Sequence, residues 1–257
     1  MKKWNYYNDS DPKACAWVRE LIKAGCIPDG EVDNRPIQNV QPEDLHGFVQ
    51  HHWFCGIAGW ARALDLAGWP RDRPVWTASL PCQPFSTAGT QRGQADERHL
   101  YPVFAALVEK CRPERIFGEQ VEAAIRHGWL DLVQSDLEGI GYAFAATGLP
   151  AACVGAPHIR QRLWFVGDAG RAGLPARQRQ ELPGENRDDE GRAAEQSGGS
   201  YWRDADWLPC RDGKARPTQP GLFPLAHGVS NRVGRLRAYG NAIVPQVAAA
   251  FIGSVMS

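Results

Sequence analysis

Trp53-Phe54-Cys55-Gly56-Ile57-Ala58-Gly59-Trp60-Ala61-Arg62-Ala63-Leu64-Asp65-Leu66 reads as a strand, a glycine-rich turn and a helix. Trp53–Cys55 is an unbroken apolar run, as a strand buried on both faces requires. Trp60–Leu66 is helical and stops before Gly68-Trp69-Pro70. A strand entering a helix through such a turn lets a nucleotide-like ligand approach the backbone. Many α/β proteins share this unit, so it sets the fold class and leaves the chemistry open.

The same alternation continues on either side. Lys3–Asn8 is predicted as an aromatic strand. Asp11-Pro12 starts a helix, with Asp at the N-cap and Pro at the first helical position, running to Gly25. Val75–Ser79, Arg115–Phe117, Tyr142–Thr147 and Arg162–Val166 are expected strands; Pro102–Lys110 and Trp129–Leu137 are expected helices. The pattern predicts a Rossmann-like α/β sheet with helices on both faces. From Ala169 to Ser200 the only large apolar residues are Leu174 and Leu182, too few to bury a core, so that stretch is expected to be an exposed, mobile loop. Tyr201–Leu225 regains Trp202, Trp207, Leu208 and Phe223, enough for a small irregular module. Gly240–Val255 is expected to form a turn and then an apolar helix, Val247–Ile252. The expected division is a main α/β domain over 1–167, a small irregular region over 168–234 whose polar loop spans 169–200, and a segment over 235–257 returning to the main domain.

With 257 residues, 43% hydrophobic and 23% charged, the composition is that of a globular chain. No run approaches the ~20 apolar residues of a membrane span, and Met1-Lys2-Lys3-Trp4-Asn5-Tyr6 lacks the apolar core of a signal peptide. The seven cysteines are scattered without any CxxC pair, so neither a zinc site nor a disulfide framework is expected, and the cytoplasm is the natural compartment. Net charge is zero but uneven. Residues 1–157 carry 15 Lys and Arg against 19 Asp and Glu; residues 158–257 carry 14 against 10, and 13 of those 14 are Arg. Arginine suits bidentate phosphate and guanine contacts, although an Arg-rich chain from a GC-rich genome looks the same.

Chemistry concentrates in Ser79-Leu80-Pro81-Cys82-Gln83-Pro84-Phe85-Ser86. Prolines fix a cysteine at the carboxyl end of a strand, where open α/β sheets place their ligands. A small buried cysteine at a strand end would read the same way in isolation. Phe117-Gly118-Glu119-Gln120-Val121 puts a carboxylate at the next strand end. Pro157-His158-Ile159-Arg160-Gln161-Arg162 puts two arginines on one side of an extended segment, and Tyr239-Gly240-Asn241-Ala242-Ile243-Val244-Pro245-Gln246 adds a Gly-Asn turn.

These elements, in this order, resemble the cytosine-C5 DNA methyltransferases. The resemblance implies S-adenosyl-L-methionine as cofactor and double-stranded DNA as substrate. It implies Cys82 as nucleophile on C6 of a flipped-out cytosine and Glu119 at N3 and the exocyclic amine. Arg162 falls at the O2 edge, with Arg160 supporting the loop. Phe54, Gly56, Ile57, Ala58, Gly59, Pro81, Asn241 and Ala242 fall on the family's cofactor positions. Gln83, Ser86 and Arg98 are expected at the nucleic acid. Arg203, Arg211, Lys214 and Arg216 are expected there too, although salt bridges with Asp204, Asp206 and Asp212 would use the same residues. A cognate restriction endonuclease and a monomeric state are the expected context. A tRNA cytosine-5 methyltransferase and a binding-only remnant would carry similar motifs. An amino-methyltransferase would need an Asp/Asn-Pro-Pro-Tyr segment, which the sequence lacks.

The sequence departs from the family at several points. Ala58 stands for a glycine, Gln120 for an asparagine, His158 for a glutamine and Ala242 for a serine. Only 24 residues separate Gly56 from Pro81, too few for the two strands the family places there. Tyr7-Asn8-Asp9-Ser10-Asp11-Pro12 resembles the family's ribose segment and lies ahead of the turn. A local permutation is therefore expected: the second and third strands of the family sheet come first, then the first and fourth. Asp9 and Ser10 would face the ribose, and Ile37, in Pro36-Ile37-Gln38-Asn39-Val40, the adenine. The helix between the first and fourth strands must then either change faces or make a left-handed crossover.

Overall fold

The computed structural model describes residues 3–81, 100–156, 158–171, 206–209, 215–218 and 242–256. Their backbone forms β1 (Lys3–Asn8), α1 (Pro12–Lys23), β2 (Gly30–Asp33), β3 (Phe48–Trp53), α2 (Gly59–Ala67), β4 (Val75–Ser79), α3 (Tyr101–Cys111), β5 (Arg115–Val121), α4 (Trp129–Gly139), β6 (Ala143–Leu149), β7 (Arg162–Asp168) and α5 (Pro245–Met256). A two-stranded antiparallel ladder, β8 (Asp206–Pro209) with β9 (Ala215–Thr218), stands apart from the main sheet.

The seven main strands lie in the order β2-β1-β3-β4-β5-β7-β6. All neighbours from β2 to β5 are parallel; β7 is antiparallel to both β5 and β6. The chain thus lays β1 and β2 outside β3 and then continues through β4 and β5 on the other side, the permuted order expected from the sequence.

Cross-strand register assigns each helix to a face. Tyr7, His52, Thr77, Phe117 and Val166 form one row across the sheet, and Tyr6, His51, Trp76 and Ile116 belong to the opposite face. The first face is covered by α1, α2 and α5 through Val18, Ala61, Trp60, Leu64, Val247 and Phe251. The second is covered by α3, α4 and two short 3-10 turns, through Phe104, Val108, Val133, Ile37 and Leu45. Ile37, expected at the adenine, is 2% exposed and its side chain packs in this core.

This assignment settles the crossover. Three connections (β1 to β2 through α1, β2 to β3 through the 3-10 turns, β4 to β5 through α3) share one hand, which for parallel strands is right-handed. The fourth, β3 to β4 through α2, moves along the sheet in the same direction as β4 to β5 but on the opposite face. It is therefore left-handed. The turn that feeds it is strained in keeping: Phe54, Gly56 and Ala58 all take positive φ, at 52°, 52° and 58°.

Two local expectations change. The strand predicted at Trp53–Cys55 runs instead over Phe48–Trp53, because Phe54 already turns the chain. Its polar residues are buried with partners: Gln50 Nε2 donates to the Pro70 and Arg71 carbonyls, and His52 bonds Thr77 Oγ1 and Asn5 Oδ1. Strand β2 carries one aliphatic residue, Val32, in four and gives no apolar signal of its own. Gly118 fixes the β5–β7 register: a Cβ there would sit 1.9 Å from the Phe165 ring, which lies across it.

Candidate active site

The carboxyl ends of the parallel strands and the start of β7 share one edge. Helix α2 leaves β3 on one face and α3 follows β4 on the other, the kind of strand junction at which open α/β sheets hold ligands. Trp60 Nε1 donates to Ser79 Oγ at 3.0 Å, tying α2 to the end of β4.

On the β3 side the permuted order brings Asp9 to the glycine turn. Its Oδ2 accepts from the Gly56 N–H at 2.8 Å and its Oδ1 from the Asp11 N–H at 2.9 Å. Burial pushes this carboxyl above its ordinary range, against the pull of those two N–H groups. Ser10 is exposed beside it. Gly59 packs so closely on the segment before α5 that a Cβ would lie 2.7 Å from Ile243 Cγ1. A cavity of about 660 Å³ adjoins the outer side of the turn, lined among others by Ile57, Ala58, Gly59, Arg62, Arg160 and Ala242.

On the β4–β5 side Ser79 pairs with Glu119, and Val121 with Arg162. Glu119 is 8% exposed and its Oε1 meets Arg162 Nε at 2.9 Å. Burial raises the Glu119 carboxyl above the usual carboxylate range, while the Arg162 and Arg160 charges oppose it. Such a group can hold a proton where an exposed glutamate cannot. Arg160 takes φ +37° and its Nη2 donates to the Ala242 carbonyl at 2.6 Å, joining this loop to the segment before α5. Gln120 is a residue whose role sequence reasoning missed. Its Nε2 donates to the Leu80 carbonyl at 3.2 Å, while its Oε1 accepts from the Val121 N–H. It holds the strand end from which Pro81 and Cys82 depart. Its place in the Glu-Gln-Val triplet was the signal, but only the fold shows which carbonyl it grips.

The structure therefore gathers Asp9, Gly56, Ile57, Ala58, Gly59, Pro81, Glu119, Arg160, Arg162 and Ala242 on one edge, with Phe54 in the turn. Cys82, Gln83, Ser86, Arg98, Arg203, Arg211, Lys214 and Asn241 lie outside the described residues. Arg216 falls in β9, opposite Leu208. Among the described residues no His, Cys, Asp and Glu cluster could hold a metal, and no helix is long and apolar enough to cross a membrane.

Residues 63–190, about half of the chain, match the model of the C-5 cytosine-specific DNA methylase family. Type II methyltransferase M.NlaX of Neisseria lactamica is 29% identical over 147 residues, covering 55% of this chain and 44% of that protein. Type II methyltransferase M.HhaI of Haemophilus parahaemolyticus is 31% identical over 99 residues, 37% of this chain and 30% of that protein. A crystal structure of Spodoptera frugiperda DNMT2 aligns with a TM-score of 0.45 at 18% identity, over 69% of this chain and 47% of that one. The chain spans less than half the length of these relatives. The family match begins at Ala63, inside α2.

Proposed function

We propose that this chain, which belongs to the C-5 cytosine-specific DNA methylase family, transfers a methyl group from S-adenosyl-L-methionine to C5 of cytosine in double-stranded DNA. The observation that carries the proposal is the pairing of Arg162 with buried Glu119, which lies on the strand neighbouring the one that leads into Pro81-Cys82.

Cytosine C5 is a poor nucleophile until a thiolate adds at C6. In the proposed sequence Cys82 Sγ bonds to C6 of a base drawn out of the duplex. Glu119, kept protonatable by burial, donates to N3 and accepts from the exocyclic amine as charge builds on the ring. Arg162 orients Glu119 and faces O2, while Arg160 pins the loop through Ala242. C5 then takes the methyl group, loses its proton to a base, and the restored C5–C6 double bond expels the Cys82 thiolate. S-adenosyl-L-methionine supplies an electrophilic methyl on a sulfonium.

The edge of the β3 turn suits that cofactor. A half-buried carboxylate with further lone pairs matches a vicinal diol, and the cavity adjoining the turn offers a largely apolar wall. Asp9→Ala removes the proposed ribose acceptor and also leaves the Gly56 N–H without its partner. The expected loss is one or two charge-assisted hydrogen bonds, about 1.5–3 kcal/mol each, in the cofactor dissociation constant measured by titration calorimetry. An unchanged constant would reject Asp9 as the ribose acceptor.

Two further parts of the reading concern the rest of the chain: residues 168–234 recognise the target, and a cognate endonuclease shares it. The deciding experiment supplies methyl-labelled S-adenosyl-L-methionine with either plasmid DNA or transfer RNA. Label in DNA as 5-methylcytosine, mapped by bisulfite sequencing, is expected. Label only in RNA would reassign the polymer, and label in neither would overturn the reaction.

A further inference from the structure

Ile159 is 72% exposed, the most exposed large hydrophobic side chain among the described residues. Single exposed isoleucines are ordinary on protein surfaces. What distinguishes this one is how its backbone is held. Its carbonyl accepts from the Ala151 N–H at 2.6 Å. The next residue, Arg160, takes a left-handed conformation and is drawn inward onto the Ala242 carbonyl, and Arg162 is drawn inward onto Glu119. Arg162 pairs with both Val121 and Leu149, so this segment leaves the sheet over the end of β5, close to Glu119. The result is an exposed apolar side chain on a loop pinned beside the strand end that carries Glu119.

We infer that Ile159 is a wedge that enters the base stack where the cytosine has left it. The inference rests on the proposed DNA reaction. Extruding a base costs unstacking energy and leaves a gap between flat apolar faces. Apolar side chains of this size are used to fill such gaps in other DNA-binding proteins. A side chain whose backbone is already fixed loses little further freedom on insertion. Arg160 is held on the Ala242 carbonyl and Arg162 on Glu119, so neither arginine can enter the stack, and Ile159 is the exposed apolar side chain of this loop.

The test uses short duplexes carrying the site mapped by bisulfite sequencing, in two forms: fully paired, and lacking the guanine opposite the target cytosine. In the second form the neighbouring pairs can close together, so no gap needs filling. Ile159→Ala is expected to lower kcat/KM on the paired duplex roughly tenfold to a hundredfold, the equivalent of the buried side chain. On the guanine-less duplex the loss is expected to be at most about twofold. Ile159→Leu should restore most of the paired-duplex rate, and Leu66→Ala, removing another exposed aliphatic side chain, from α2, should change neither. A paired-duplex rate within twofold of wild type, or an equal loss on both duplexes, overturns the wedge while leaving the methylation reading intact. Wild-type protein that methylates neither duplex overturns both.

Discussion

Cys82→Ser is expected to lower methyl transfer by on the order of a thousandfold or more while S-adenosyl-L-methionine still binds. The proposed reaction needs a nucleophile that adds to C6 and then leaves. A thiolate does both near neutral pH, whereas a serine hydroxyl is scarcely ionised there and, once added, is a poorer leaving group. Pro81 ends the described stretch one residue before Cys82. Two residues earlier Ser79 pairs with Glu119, and Gln120 holds the Leu80 carbonyl between them. Glu119 and the strand leading to Pro81 are thus positioned by one pair of neighbouring strands. Duplex DNA containing 5-fluorocytosine makes the outcome visible, because fluorine cannot depart as the C5 proton does. Wild-type protein should form an adduct that survives denaturing electrophoresis, and the variant should form none. Full transfer by the variant would remove the covalent route.

A second large effect is expected on stability. His51 and His52 are buried side by side in β3, and burial lowers their pKa values to about 4 and about 3. Asn5 Oδ1 can only accept, so His52 donates from Nε2 and accepts the Thr77 hydroxyl hydrogen at Nδ1, a neutral ring with both nitrogens satisfied. In the unfolded chain both rings take up protons below about pH 6.5; in the folded chain they do so only near 4 and 3. Their contribution to stability is therefore complete above pH 6.5 and falls as the pH drops below it. Two protons bound by the unfolded state alone correspond to about 2.7 kcal/mol per pH unit, or roughly 5–7 kcal/mol lost by pH 4. Urea midpoints between pH 7 and pH 4 should follow that slope. His52→Gln, which cannot titrate, should be less stable at pH 7 and show about half the slope. An unaltered slope would mean that the imidazoles are not the source.

The strand–turn–helix at Trp53–Leu66 and the alternation around it were enough for the sheet, and the position of Asp9 ahead of the turn was enough for the permuted order. The hand of the β3–α2–β4 connection was not legible. It depends on which face of the sheet receives Trp60, Ala63 and Leu64, and an amphipathic helix looks the same from its sequence on either side. Strand β2 escaped notice because Gly30-Glu31-Val32-Asp33 is a short edge whose stability comes from pairing with β1. The start of β3 was hidden by two histidines and a glutamine, polar residues for which Asn5, Thr77, the Leu45 carbonyl and the Pro70 loop supply partners. In the site, Glu119 and the two arginines were readable from spacing and resemblance. The grip of Gln120 on Leu80 and the withdrawal of Ile37 into the core follow from packing between segments far apart in sequence.

Residues 3–47 behave as a cassette: two strands and a helix added at one margin of the sheet and joined to the remainder through a single loop. The neighbours each strand finds depend on the edges available to it, not on the order in which a ribosome delivers it. A genetic rearrangement that moved this cassette behind α2 would alter the wiring of the polypeptide and leave the architecture of the cleft unchanged. Ancestry in such proteins is better traced through which strands adjoin than through the linear succession of motifs.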